Sequence, residues 1–266
     1  MTPPLKSLYQ DPERIIVTAH RGFSGEYPEN TLLAFTKAIE LGVDILEFDI
    51  RGTSDGIPII LHDETVDRTT NGKGSPLNFT LAELQKLNAS LWQGAHNSGK
   101  RLSKPAHPDV IIPTFEELLQ VAAGKVGLNI QLYDTNEPLL TKICQLYQSY
   151  DLYDSGYLTV STFQEVAKIR ASDPRIEICV LEDQWEMSPK TLQRHLDHGL
   201  TFIQPGRQST TPELCQAIQE KNLCANMFYS NTDEDNRRYI KMGLRGILTD
   251  CPNILLQTIK DLKVTQ

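Results

Sequence analysis

The sequence predicts a (β/α)8 barrel with a small insertion after its second strand region. Three observations carry the prediction. Short β-branched or apolar runs alternate with amphipathic stretches about eight times along the chain. The amphipathic stretches run roughly three turns each, as barrel helices do. No GxGxxG follows the first strand, which removes the chief mark of an open dinucleotide-binding sheet. A chain of 266 residues suits one barrel domain over residues 1–266, since such barrels take about 250.

The first strand is read at Ile15 to His20, an apolar run closed by a turn glycine at Gly22. Pro28-Glu29-Asn30-Thr31 then opens a helix over Asn30 to Leu41, with Asn30 as the expected N-cap. A second strand covers Ile45 to Arg51, and Ser54-Asp55-Gly56 returns the chain through a hairpin-like turn to Ile57 to His62. From about 64 to 112 the pattern breaks, leaving one helix at Thr80 to Leu87 and a polar stretch from Gly94 to His107. Loops of that length are usually functional, so a cap is expected there.

The alternation resumes with a helix at Thr114 to Ala123 and a strand at Val126 to Tyr133. Further strands are read at Tyr157 to Ser161, Ile176 to Leu181, Thr201 to Gln204, Leu223 to Phe228 and Gly246 to Thr249. Helices fall between them at Glu137 to Tyr150, Thr162 to Ala171, Pro189 to His198, Thr211 to Lys221 and Asp233 to Met242. No repeat or low-complexity tract interrupts this order.

The net charge of -8 repels a polyanionic backbone, so nucleic acid is not an expected partner. A small anion is not excluded, because a metal ion or a few buried cations outweigh a surface field that salt screens within roughly 10 Å. Met1 to Asp11 lacks the charged and apolar regions of a signal peptide, and no run of about eighteen apolar residues reads as a transmembrane segment. The five cysteines are scattered without metal or redox spacing. A cytoplasmic location with free thiols is expected, and no oligomeric state is assigned.

Candidate chemistry gathers at strand ends, where a barrel builds its active site. His20-Arg21-Gly22 ends the first strand. In Leu46-Glu47-Phe48-Asp49-Ile50-Arg51, alternation puts Glu47, Asp49 and Arg51 on one face and the apolar residues on the other. Two acids facing a barrel interior are costly without a partner, and a hard divalent cation compensates them directly. The alternative is a solvent-facing edge strand, which leaves Leu46, Phe48 and Ile50 nowhere to pack. His62-Asp63 ends the next apolar run. Two strand-terminal histidines beside paired acids suit phosphodiester cleavage, in which one group deprotonates a nucleophile and another protonates the leaving alkoxide. Arg21 is suited to contacting the phosphate oxygens.

Taken in order, His20-Arg21-Gly22, Pro28-Glu29-Asn30-Thr31, Glu47-Phe48-Asp49, Asp55-Gly56, His62-Asp63 and Gly72-Lys73-Gly74 resemble the glycerophosphodiester phosphodiesterase family. Ile112 through Leu119, Ser161-Thr162-Phe163, and Gly243 through Pro252 continue the likeness over nearly the whole chain. The resemblance implies His20 and His62 as the acid/base pair and Glu47 and Asp49 as ligands of Mg2+ or Ca2+. It also implies a glycerol-phosphate ester as substrate, cleaved through attack by the neighbouring glycerol hydroxyl. Glu29, Tyr133 and Phe228 are expected, with Arg21, to contact the substrate. The third strand departs from the family pattern: Gln131 stands where a metal-binding Glu is usual, and Tyr133 where a Lys is usual. Phe228 stands where a Trp is common.

Two further readings accompany hydrolysis of glycerophosphodiesters to glycerol 3-phosphate and an alcohol. One keeps the chemistry and takes a lysophospholipid as the small-molecule partner. The other is a binding or regulatory barrel weakened by Gln131 and Tyr133. His96, His107, His195 and His198 are expected on the solvated surface, and Lys100 to Lys104 reads as a solvated basic loop.

Overall fold

The computed structural model describes residues 4–264. The reading of the N-terminal stretch started at Met1, and residues 1–3 lie outside the described residues. The chain runs α1 (Leu5–Leu8), β1 (Ile16–His20), α2 (Leu32–Leu41), β2 (Ile45–Gly52), β3 (Pro58–Ile60), α3 (Leu81–Leu84), β4 (Trp92–Gln93) and β5 (Lys100–Arg101). It continues with α4 (Phe115–Ala122), β6 (Gly127–Leu132), α5 (Glu137–Ser149), β7 (Gly156–Val160), α6 (Phe163–Ser172), β8 (Ile178–Val180) and α7 (Leu192–Asp197). The last elements are β9 (Phe202–Ile203), α8 (Pro212–Glu220), β10 (Cys224–Ala225), β11 (Met227–Phe228), α9 (Asp233–Lys241), β12 (Gly246–Thr249) and α10 (Pro252–Val264).

Ladders join β11, β12, β1, β2, β6, β7 and β8 in that order, all parallel, and β3 pairs antiparallel on β2. β9 pairs with β10 in parallel. β10 and β11 are one wall position interrupted at Asn226, and the Asn226 and Phe228 amides donate to Ile203 and Pro205 carbonyls to tie both halves to β9. Eight wall positions ringed by helices make the expected (β/α)8 barrel.

Strand alternation sorts the side chains. Outward residues such as Leu46, Phe48, Ile50, Leu128, Ile130, Leu158 and Val160 are buried in the main core shared with the helices. Inward residues form layers. Ile16, Ile45, Tyr157, Cys179, Phe202 and Cys224 fill the barrel floor together with Leu5 and Leu8 of α1, which plugs it. Each of those leucines stabilises the fold by about 1.5–3 kcal/mol through burial. Gly127 makes room for the plug, because a Cβ there would lie 2.3 Å from Leu5 Cδ2. Above the floor sits a polar layer in which Asn129 links Thr159 to Gln204, and Asn226 donates to Thr18. The ionisable residues occupy the layer above that.

Several local readings need correction. Asn30 does not cap α2: Thr31 does, accepting from the Ala34 amide at 3.3 Å. Asn30 instead has a left-handed φ of 57° and points its amide into the site. The helix expected at Thr80 to Leu87 is the single turn α3, and α7 starts three residues late because Ser188 and Thr191 close a turn on each other. The cap region carries a hairpin, β4 with β5, that its polar composition did not announce. Lys100 and Arg101 lie in this hairpin, and the Arg101 guanidinium binds the carbonyls of Asp67, Arg68 and Thr70 rather than standing free in a loop. α10 was not foreseen. Among the described residues, no helix is long and apolar enough to cross a membrane.

The histidines differ most from expectation. His107 and His198 are half-buried, His96 lies within 3.0 Å of Arg21 at the end of β1, and His195 is fully buried on the inner face of α7 beside Leu192. Neither ring nitrogen of His195 has a hydrogen-bond partner, and Nε2 lies 3.9 Å from Asp183 Oδ2. Glu182, Asp183, Arg194 and His198 are the charged or titratable groups around it. Burial, against the opposing pull of Asp183, lowers its pKa from 6.5. The unfolded chain therefore takes up a proton that the folded chain resists. Stability is complete above the unfolded value and falls as pH drops below it. Urea unfolding at about pH 7.5 and about pH 5.5 should show a smaller acid loss for His195→Gln than for the parent; equal losses would remove His195 as the cause.

Candidate active site

β1 ends in His20, and β12 is followed by Asp250 on the neighbouring wall. His20 Nδ1 lies 2.7 Å from Asp250 Oδ1. A carboxylate only accepts, so Nδ1 carries the hydrogen and Nε2 is left for chemistry. Burial works to raise the Asp250 carboxyl, but the His20 imidazole and hydrogen bonds from Asn231 and Ser24 outweigh it and hold the group well below the usual carboxylate range. His20 Nε2 points toward Glu47, 3.9 Å from Oε2, and Phe228 stands edge-on to the ring with centroids 5.4 Å apart.

Glu47 and Asp49 do face inward from β2, at 2% and 1% exposure. Burial first, then the Asp49 charge, push the Glu47 carboxyl well above its usual range, and Arg21 opposes them. Arg21 has a left-handed φ of 56°, which turns its backbone amide to Glu47 Oε2 at 3.1 Å while its Nε lies 3.3 Å from Asp49 Oδ2. Asn30 donates to the same Asp49 oxygen at 2.8 Å, and its own Oδ1 is buried without a partner.

Arg21 also donates to Glu29 at 2.8 Å. Glu29 in turn accepts two hydrogen bonds from Arg68, at 2.6 and 2.7 Å. Burial disfavours its charge, but Arg21 and then Arg68 bring its pKa down to about 2. Arg68 continues to Asp63 with bonds of 2.7 and 2.9 Å, and Asp63 holds His62 Nδ1 at 2.7 Å. His62 thus repeats the carboxylate-oriented arrangement of His20. It reaches the mouth because β2 extends above the barrel and the hairpin returns β3 to it, so that Leu61 bonds the Asp49 carbonyl and Arg51 Nε bonds the His62 carbonyl.

On β6, register places Gln131 beside Asp49. Gln131 Nε2 donates to the Tyr133 hydroxyl at 2.8 Å, leaving its amide oxygen available, and the Tyr133 ring stands edge-on to His62 at 5.3 Å. His96, from the loop between β4 and β5, accepts from Arg21 at 3.0 Å, with its ring 5.0 Å from that of His62. Among the described residues, His62, Asp63 and His96 bring ligand atoms within 4.8 Å of one another, a set able to hold a metal ion.

Every residue expected at the site from the sequence lies in this connected cluster. Reasoning on the sequence missed the roles of Asp250, Asp63, Arg68, Asn30 and His96. For Asp250 a signal existed: Gly246, Leu248 and Asp250 alternate onto one face. For His96 none did, because a loop tip has no periodicity.

A family model described as "Glycerophosphoryl diester phosphodiesterase family" matches residues 20–254. The chain belongs to the glycerophosphoryl diester phosphodiesterase family. As a member it is a phosphoric diester hydrolase, with a metal-competent cluster at its barrel mouth. A glycerophosphodiester phosphodiesterase of Caldanaerobacter subterraneus subsp. tengcongensis is 30% identical over 259 residues, covering 93% of this chain and 98% of the relative. One from Bacillus subtilis is 28% identical over 254 residues, covering 91% and 86%. The fold matches an Oleispira antarctica phosphodiesterase solved with the product sn-glycerol-3-phosphate, at TM-score 0.77 and 24% identity, over 92% of this chain and 96% of that one. It also matches a glycerophosphodiester phosphodiesterase from Agrobacterium tumefaciens, at TM-score 0.77 and 22% identity, over 91% and 99%.

Proposed function

We propose that this family member cleaves small glycerophosphodiesters to glycerol 3-phosphate and an alcohol, with His20 and His62 as acid and base. The observation that carries the reading is the paired orientation of the two imidazoles. Each has a carboxylate 2.7 Å from Nδ1, which fixes the tautomer and directs Nε2 away from that carboxylate. One imidazole removes the proton of the glycerol 2-hydroxyl, whose oxygen attacks phosphorus. The other protonates the leaving alkoxide, and water then opens the cyclic phosphate with the roles reversed. Arg21, Glu29, Tyr133 and Phe228 line the substrate.

The buried pair Glu47 and Asp49 fits a hard cation, because their charges exceed what Arg21 alone compensates and the orphaned Asn30 Oδ1 adds an oxygen beside them. The Gln131 amide oxygen completes the set. When bound there, Mg2+ or Ca2+ neutralises the non-bridging phosphate oxygens. The His62, Asp63 and His96 set is nitrogen-rich and suits borderline metals better. It is also engaged already with Arg68 and Arg21. Gln131→Glu should tighten Mg2+ or Ca2+ binding, since affinity for hard cations follows ligand charge. Calorimetric titration of both proteins checks this, and unchanged or weaker affinity would remove Gln131 from the ligand set.

The cap favours a small diester over a lysophospholipid. Its loop presents His96 and Asn97 at the mouth, and Asn97 donates to the Tyr229 hydroxyl on the opposite side at 3.0 Å. The retained and oriented acid/base groups speak against a purely binding role. The five free cysteines suit a reducing cytoplasm. Purified protein assayed with metal on glycerophosphodiesters, a lysophospholipid and a glycerol monoester should turn over the diesters fastest. Faster turnover of the lysophospholipid would favour the lipid reading, and no turnover of any diester would end both.

A further inference from the structure

The loop after β8 carries Trp185, which is 49% exposed although its position is firmly held. The preceding residue, Gln184, is pinned through its carbonyl, which accepts from the Gly206 amide and the Ser209 hydroxyl, both at 2.8 Å. The six-membered part of the indole lies on Gly206 so closely that a Cβ there would come within 2.5 Å of Cε3. A side chain at this position would displace the ring. The indole stands edge-on to Phe228 with centroids 5.9 Å apart, and Phe228 is the ring that borders His20. Tyr229 follows, with its centroid 5.0 Å from Phe228.

Trp185 and Phe228 thus form an aromatic surface that begins beside the acid/base group and ends in solvent. Arg207 already lies 5.8 Å from the Tyr229 centroid, and Trp185 is the most exposed of the three rings. A tryptophan face attracts a cation through its quadrupole, and most strongly a cation that cannot be satisfied by hydrogen bonds. An acyl chain would need a continuous apolar track. The other large hydrophobic residues exposed among those described, Leu41, Leu77 and Ile111, lie on α2, before α3 and at the base of the cap. None of these three lies on the loop after β8 that carries Trp185.

We infer that Trp185, backed by Phe228, is a specificity-determining residue that seats a quaternary ammonium group on the leaving alcohol of the diester. The inference rests on the proposed glycerophosphodiester reading of the site. The ammonium of a choline ester is two carbons from its ester oxygen, so from a phosphate held at His20 it would reach toward the Phe228 ring, 5.4 Å from that of His20, and the Trp185 ring 5.9 Å beyond. A primary ammonium keeps its water and gains less from the same rings.

The test compares kcat/KM for glycerophosphocholine and glycerophosphoethanolamine in the parent, Trp185→Leu and Trp185→Phe. The parent should prefer the choline ester by about tenfold, corresponding to about 1.4 kcal/mol. Trp185→Leu should remove most of that preference through KM, with less than about a twofold change on the ethanolamine ester, and Trp185→Phe should retain part of it. Equal losses on both esters, or no parent preference, would overturn the assignment. So would a gain from an added acyl chain that Trp185→Leu abolishes, because the seat would then serve the lipid. If the parent hydrolyses neither ester, the reading of the site fails separately. The seat is then judged by calorimetric binding of glycerophosphocholine: weaker binding to Trp185→Leu supports it, and equal binding overturns it.

Discussion

Replacing His20 by alanine is expected to lower kcat on a glycerophosphodiester by roughly a hundredfold to ten-thousandfold, the range for loss of a general acid or base. His62→Ala should lose a similar factor, since both imidazoles are needed in each half of the reaction. Asp250→Asn should lose activity in the same direction. An amide at that position can donate to Nδ1 and so admits the wrong tautomer, while the geometry of Ser24 and Asn231 around it changes little. Steady-state rates with a folding check by circular dichroism decide the matter. Parent-like kcat in His20→Ala would remove His20 from the chemistry.

Glu47→Gln is expected to produce opposite effects on activity and stability. Burial and the adjacent Asp49 already make the Glu47 charge unfavourable in the fold without a cation. A neutral isostere relieves that cost, so the melting temperature in chelator should stay level or rise. Activity should fall by about a hundredfold or more, and the heat of Mg2+ or Ca2+ binding should disappear. Chelation of the parent should reproduce the loss, and either cation should reverse it. Full parent activity in excess chelator would contradict the assigned role of the carboxylates.

Much of this arrangement was legible in the sequence because strands carry a strict period of two. Glu47, Asp49 and Arg51 could be placed on one face, and the outward Leu46, Phe48 and Ile50 confirmed the sense of that face. The hairpin return that brings His62 to the level of Asp49 was readable in Ser54-Asp55-Gly56. What stayed hidden has no local period. The partner of His20 comes from the far end of the chain, at Asp250, and only barrel closure makes them neighbours. Arg68 joins Glu29 to Asp63 through ion pairs between side chains far apart in the local pattern. Asn30 was read as a cap because its type favours caps, but its left-handed backbone and its bond to Asp49 give it a different use. His195 was misjudged because a polar helix can still bury one turn.

The most direct measurement is phosphorus NMR of the products formed from glycerophosphocholine by the purified protein with Mg2+ or Ca2+. A site in which the glycerol hydroxyl attacks and the other alcohol leaves predicts glycerol 3-phosphate, with its formation lost in both His20→Ala and His62→Ala. Phosphocholine as the product would show that the opposite ester bond breaks, and would contradict the assignment of the leaving group and of the two histidines around it.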